Sequence, residues 1–518
     1  MNCPDRVYRP PAPYLVLLFM CMSGLGLSAG VAAVTATPPQ AGAAAAITES
    51  VLDVPRYGTV AIYRPNGPIR SVVIFLSGDG GWHLGVVDMA RHFAAAGALV
   101  AGVDVRKYLA LLQPKESGSA PASCTSVAGD MEALSQQLQR RLHLSGYLHP
   151  MLVGYSSGAT IVYAALAQAP HGTFTGAISM GFCPDQDFSG ARLCKSNGLD
   201  YHLPEKIKKN DHTLILDADA TIREPWIAAQ GEQDAVCKAE VTRTFAALIP
   251  AAKLLSLPRV GHGFSVTANW WPQLKQAYQD ADARAAPPVP ADASISDLPV
   301  YEVPAGDRQG DRIAILLTGD GGWAGLDQDL SAELAGKGIS VAALSSVRYF
   351  WQTRTPEQSA ADVGRLIDHF QSIWHAKRVL LIGYSFGADA LPFIWNRLPA
   401  RVQERVDSMS LLGLSATASF EIRVAGWLPG SGGGDLATLP ELQRVTTLPL
   451  LCVYGSGEAD NLCPSLHLAN ASAVQIGSGH HFGDQTAAIV EAILRVAGKG
   501  PRAAGEARLT PPTRSPSP

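Results

Sequence analysis

Four short phrases occur twice in this chain, in the same order, and the repetition restricts what the chain can fold into. Ser77-Gly-Asp-Gly-Gly-Trp82 returns as Thr318-Gly-Asp-Gly-Gly-Trp323, each directly after an apolar run. Gly154-Tyr-Ser-Ser-Gly158 returns as Gly383-Tyr-Ser-Phe-Gly387. Gly231-Glu-Gln-Asp-Ala-Val-Cys237 answers Gly457-Glu-Ala-Asp-Asn-Leu-Cys463, and Gly261-His-Gly-Phe264 answers Gly479-His-His-Phe482. Repetition on this scale means two copies of one folding unit. The 518 residues also exceed what one ordinary core accommodates. The repeat puts an N-terminal domain at residues 50–282 and a C-terminal domain at 298–498. Residues 283–297, rich in proline and alanine, read as a semi-stiff linker. Residues 499–518 have little to bury and read as a disordered tail.

Within each copy, short apolar runs alternate with longer amphipathic ones. The second copy predicts strands at Ile313–Leu317, Ser340–Leu344, Val379–Ile382, Ser408–Leu412 and Leu450–Tyr454. Helical spacing covers Asp327–Lys337 and Pro356–Trp374. The first predicts strands at Val72–Leu76, Leu99–Val103, Met151–Val153, Gly176–Met180 and Thr213–Leu216, with helices over Val86–Ala96 and Val127–Leu142. Near-continuous apolar strands alternating with helices imply an α/β fold, each domain a mostly parallel sheet with helices on both faces. Ligand sites in such sheets lie at the carboxyl ends of the strands, where all four phrases fall.

The chemistry follows from the phrase order. Gly-x-Ser-x-Gly after a strand is the nucleophile elbow, and a serine, acid, histidine order is that of the α/β-hydrolases. In the second domain Ser385 is the candidate nucleophile, His480 its base and Asp460 the carboxylate that orients the imidazole. The oxyanion donors are the backbone N–H of Phe386 and that of Asp320, with Gly321 as second choice. His481 beside His480 competes for the base role, and His262 in the first copy favours the frame of His480. Paired histidines also suggest metal, but no third ligand cluster accompanies them, so no metal is expected. The first domain carries Ser156, Asp234 and His262 in the same order. The residues leave open whether this is a second working site or a scaffold. Val105-Arg106 and Val347-Arg348 match after a strand, so Arg348 is a candidate for phosphate, with a structural ion pair as the alternative. Asp389 is a candidate for a cationic substrate group, with a structural role on its helix as the alternative. Trp82 and Trp323 are expected to pack the glycine loops.

A formal net charge of -4 with no basic run excludes a nucleic-acid footprint. Arg6 and Arg9 precede an apolar stretch from Tyr14 to Leu27, followed by small residues. This is the layout of a secretory signal peptide, 1–36, with a cut after Ala36 and other sites offered by Ala29-Gly-Val-Ala-Ala; the competing reading is an uncleaved anchor. Beyond it are Cys124, Cys183, Cys194, Cys237, Cys452 and Cys463, an even number that permits disulfides in an oxidising compartment. Cys183 with Cys194 and Cys452 with Cys463 are the nearest pairs, although spacing does not settle connectivity.

The secretory start, Thr318-Gly-Asp-Gly-Gly-Trp323, Gly383-Tyr-Ser-Phe-Gly-Ala-Asp389 and Gly479-His-His-Phe482 together resemble the AcvB/VirJ family of bacterial virulence proteins. The resemblance covers nearly the whole chain and is to the long, two-domain form. It implies a periplasmic serine esterase with no cofactor, cleaving the aminoacyl ester of lysyl-phosphatidylglycerol at the membrane surface, with Ser385 as nucleophile. It also implies a link to membrane lipid homeostasis, virulence and type IV secretion, with periplasmic secretion components as further partners. The alternative of another class is a non-catalytic periplasmic adaptor of a type IV secretion system on a hydrolase scaffold. Oligomeric state is not legible.

Overall fold

The structure, a computed structural model, describes residues 47–55, 57–83, 85–113, 124–205, 212–285, 292–422, 436–458, 460–483 and 485–498. The expected signal peptide and tail lie outside these residues, as does the middle of the expected linker.

The first half opens with a hairpin, β1 (Ile47–Val54) and β2 (Gly58–Pro65), then β3 (Ser71–Leu76). Helix α1 (Gly85–Ala95) leads to β4 (Ala98–Val103), α2 (Val105–Leu112) and α3 (Val127–Arg141). The elbow region is β5 (Pro150–Tyr155) and α4 (Ser157–Gln168), followed by β6 (Gly176–Met180). Short strands β7 (Asp185–Asp187), β8 (Tyr201–His202) and β9 (Thr213–Leu216) form an antiparallel sheet of their own. The main sheet resumes with β10 (Trp226–Gly231), α5 (Ala239–Ala246), β11 (Ala252–Leu257) and α6 (Trp271–Ala285).

The second half runs β12 (Val300–Val303), β13 (Arg312–Leu317), α7 (Gly325–Gly336), β14 (Ser340–Leu344), α8 (Ser346–Tyr349) and α9 (Pro356–Ile373). Then come β15 (Arg378–Tyr384), α10 (Phe386–Trp395), α11 (Ala400–Gln403) and β16 (Val406–Leu412). A small pair, β17 (Thr417–Ala418) and β18 (Leu436–Ala437), precedes α12 (Thr438–Gln443), β19 (Leu450–Ser456), β20 (Ala471–Ser478) and α13 (Thr486–Ala497).

The main sheets have one topology. The first is ordered β1-β2-β4-β3-β5-β6-β10-β11 and the second β12-β14-β13-β15-β16-β19-β20. All neighbours from β4 to β11 and from β14 to β20 are parallel. Antiparallel strands close one edge of each sheet. Strands β3, β4, β5 and β13 to β16 are apolar and almost wholly buried because helices cover both faces. One expectation is corrected. Thr213–Leu216 is a strand, but outside the main sheet; Trp226–Gly231 takes that place, buried along its length.

Among the described residues three disulfides form: Cys124–Cys194, Cys183–Cys237 and Cys452–Cys463. Cys183 therefore reaches Cys237, not its nearer neighbour Cys194, because the chain beyond β6 folds over the turn after β10. Such a set suggests an oxidising, extracytoplasmic compartment. Among the described residues no helix is long and apolar enough to cross a membrane.

The two halves pack directly. Arg140 of α3 donates to the carbonyls of Trp351 (2.5 Å) and Ile422 (2.6 Å), with its guanidinium 4.1 Å from the Trp351 ring centre. The Trp351 indole donates to the Leu144 carbonyl at 2.9 Å, and the Gly325 N–H to the His171 carbonyl at 2.7 Å. Tyr147 of the first half sits in the second half's core.

Candidate active site

Each elbow is built by steric exclusion. Gly383 and Gly387 flank Ser385; a Cβ on Gly383 would meet the Gly387 carbonyl oxygen at 2.5 Å, and one on Gly387 the Leu317 oxygen at 2.2 Å. Only glycine lets α10 pack this close to β13 and β15. Ser385 then takes φ 50° and ψ -117°, a left-handed conformation that costs a non-glycine residue roughly 1–3 kcal/mol. Its N–H is held by the Leu412 carbonyl of β16. The first half repeats the device at Ser156, with φ 53° and ψ -121° and its N–H on Met180.

In the second half His480 Nε2 lies 2.8 Å from Ser385 Oγ, and His480 Nδ1 lies 2.5 Å from Glu458 Oε1. The carboxylate on the histidine is therefore Glu458, and Asp460 is corrected: it is exposed, two residues further along the turn. Glu458 Oε2 accepts the Gly455 N–H (2.9 Å) and the Asn461 side-chain amide (3.0 Å), which fix the carboxylate plane. Cys463, bonded to Cys452 of β19, ties the turn to its strand. His481 Nδ1 instead meets the Tyr384 hydroxyl at 2.8 Å, and burial, reinforced by His480, lowers its pKa. Tyr384 also stacks on the His480 ring at 5.5 Å. Gly413, at φ 70°, admits the ring: a Cβ there would stand 2.7 Å from His480 Cε1.

The first half assembles Ser156, His262 and Asp234. His262 Nε2 is 3.0 Å from Ser156 Oγ and Nδ1 is 2.8 Å from Asp234 Oδ2. The Asp234 side chain is fully buried, accepting from the Val236 and Cys237 N–H groups at 2.9 Å each and from Gln230. Here the aspartate of the repeated phrase meets the histidine, and Glu232 turns away to Arg243 and Ser256.

The glycine loop of the second half lies against the nucleophile, Gly319 facing the Ser385 Cβ. Near this loop Asp327 is a buried carboxyl whose pKa burial, with Asp320 adding to it, raises well above the ordinary range. As first residue of α10, Phe386 carries an N–H without an intrahelical acceptor. Glu132 of the first half reaches this loop, its Oε1 3.4 Å from where a Gly321 Cβ would stand. Burial, with Asp320 adding to it, pushes the Glu132 pKa up to about 8.

The remaining candidates sit further back. Asp389 accepts the Ser415 N–H at 2.7 Å, so it braces a loop, and burial pushes its pKa well up. Arg348 faces Tyr301 and His149. The repeat shifts by one here: Ser77 and Thr318 hydroxyls accept the N–H of Val105 and Ser346, so Arg106 corresponds to Val347 and Arg348 to Lys107. Trp323 stacks on Tyr301 at 5.1 Å, and Trp82 packs on Phe75 at 5.5 Å. Among the described residues no cluster of three His, Cys, Asp or Glu could hold a metal.

Sheet order, elbow geometry and the histidine-bridged serines together define the class: an α/β-hydrolase fold, built twice. The chain belongs to the VirJ family of bacterial virulence proteins, whose model matches residues 70–180 and 311–499. The matched stretch of the first half includes Ser156 and ends before Asp234 and His262. No curated protein matches the chain. Among solved structures, a dienelactone hydrolase from Anabaena variabilis ATCC 29413 is 15% identical, covering 46% of this chain and 97% of its own, with a TM-score of 0.31. An a/b serine hydrolase without lid from Xanthomonas campestris is 18% identical over 47% and 97%, with a TM-score of 0.28. Est1E from Butyrivibrio proteoclasticus is 13% identical over 46% and 98%, with a TM-score of 0.28.

Proposed function

We propose that the second half is a periplasmic serine esterase that cleaves the aminoacyl ester of lysyl-phosphatidylglycerol to lysine and phosphatidylglycerol. The observation that carries the chemistry is the His480 ring held between Ser385 Oγ and Glu458. The substrate comes from the resemblance stated above, and family membership and the disulfides support the setting.

Ser385 Oγ attacks the lysyl carbonyl while His480 Nε2 takes its proton. Glu458 holds the imidazole with Nε2 facing the serine and stabilises the imidazolium. The N–H groups of Phe386 and Asp320 receive the oxyanion, each contributing roughly 10²–10³ in rate. His480 then protonates the departing phosphatidylglycerol oxygen. Water, deprotonated by the same nitrogen, releases lysine from Ser385. An aminoacyl ester is activated by its ammonium group, so the reaction needs no cofactor. Through this reaction the protein would act on membrane lipid composition, and through it on virulence.

The test is lysine release from vesicles containing lysyl-phosphatidylglycerol. Wild-type protein releases it, and Ser385→Ala, folded as wild type by circular dichroism, does not. Equal release by both proteins rejects Ser385 as the nucleophile, and release by neither leaves the scaffold role.

A further inference from the structure

The first half was open between catalyst and scaffold, and its geometry points to a second working centre at Ser156, His262 and Asp234, selective for carboxylic esters of small acyl groups. Two features that cost free energy are retained there. Ser156 keeps the left-handed elbow, its φ of 53° and ψ of -121° nearly matching the 50° and -117° of Ser385. Asp234 is fully buried, and a buried carboxylate is unfavourable unless its partners are kept. All of them are: His262, two backbone N–H groups and Gln230.

This centre is also not a passive copy of the other. The carboxylate arrives from Asp234 in one half and from Glu458 in the other, two positions apart in the repeated phrase. Each acid turn is clamped by its own disulfide, Cys183–Cys237 or Cys452–Cys463, from a different partner strand or loop. Two separate solutions to one geometric problem indicate that both sites hold the catalytic arrangement in their own right.

The walls beside the two nucleophiles differ, and with them the acyl group each accommodates. Behind Ser385 stands Phe386, its ring 5.0 Å from that of Phe350. Behind Ser156 stands Ser157, whose hydroxyl donates to Gln186 at 2.6 Å. A small side chain in place of an aromatic one, its hydroxyl already donated to Gln186, gives a long acyl chain nothing to bury against. The step balances as at the other site. Ser156 Oγ adds to the ester carbonyl and passes its proton to His262 Nε2. The tetrahedral adduct expels the alcohol, which takes that proton. Water then returns the enzyme and frees the carboxylic acid.

The experiment uses the full chain as wild type, Ser385→Ala, Ser156→Ala and Ser156→Ala/Ser385→Ala, with p-nitrophenyl acetate and p-nitrophenyl decanoate as substrates. Ser385→Ala is expected to keep acetate hydrolysis, with acetate preferred over decanoate, and the double variant to lose it at least 100-fold. A fluorophosphonate probe should mark Ser156 in Ser385→Ala. If Ser156→Ala disturbs folding, His262→Ala in the Ser385→Ala background replaces it, with the same expected loss. Equal acetate rates in Ser385→Ala and the double variant, with no adduct on Ser156, overturn the second centre. A decanoate preference in Ser385→Ala overturns the acyl class. Failure at Ser156 leaves the Ser385 reading untouched, because labelling of Ser385 in Ser156→Ala is scored separately.

Discussion

At the scale of single residues, Glu458 carries the sharpest prediction. Glu458→Gln keeps the shape of the side chain and removes the charge that stabilises the imidazolium, so kcat should fall roughly 10²–10⁴-fold. Asp460→Asn, on an exposed side chain, should stay within about twofold of wild type. Steady-state kinetics on one ester substrate separate the two. A large loss with Asp460→Asn and none with Glu458→Gln would make Asp460 the catalytic carboxylate. The misreading had a physical origin. The repeat aligns Asp460 with Asp234, and each phrase contains both a glutamate and an aspartate. A glutamate side chain is one methylene longer, so Glu458 spans from the start of the turn what Asp234 spans from further along. The serines and their glycines were legible because sterics leave only one solution at an elbow. The contest between His480 and His481 was legible only through the frame of His262, and the structure adds the reason: Tyr384 holds His481.

At the scale of elements, the parallel strands could be read because burial on both faces writes an unbroken apolar run. Strand β10 was missed for the fragment Thr213–Leu216, although Trp226–Gly231 directly precedes the repeated acid phrase as β19 does. The antiparallel edges were also missed. β1 is largely exposed and carries no apolar run to mark it. Disulfide partners 54 and 70 residues apart depend on how loops fold back, which spacing does not encode. The Cys452–Cys463 bridge closes a turn of 11 residues that contains Glu458. Cys452→Ala/Cys463→Ala should lower stability by about 3 kcal/mol by freeing the unfolded chain. It should also lower kcat, since the carboxylate loses its anchor. Chemical denaturation alongside kinetics reads both; unchanged kcat would mean that Asn461 and Gly455 suffice to hold Glu458.

At the scale of the whole molecule, the first half is part of the setting of the second half's glycine loop. Arg140→Ala removes two charge-assisted hydrogen bonds to carbonyls of the other half and should cost roughly 2–4 kcal/mol in a denaturant titration. Glu132 adds a pH dependence. Its pKa rises from 4.5 to about 8 on folding, so between those values the folded protein holds a proton that the unfolded chain releases. This contribution is fully present below pH 4.5 and is lost as the pH climbs through about 8. Glu132→Gln should flatten that fall in a series of melting temperatures against pH. A slope identical to wild type would show that Glu132 is ionised in the folded protein.

The proposed reaction passes through a covalent lysyl intermediate at one serine. Wild-type protein quenched in acid during turnover of lysyl-phosphatidylglycerol, digested and weighed by mass spectrometry, should yield the peptide containing Ser385 with the mass of one lysyl group added. Lysine release with that peptide unmodified, and no adduct appearing in a Glu458→Gln protein slowed at deacylation, would contradict it.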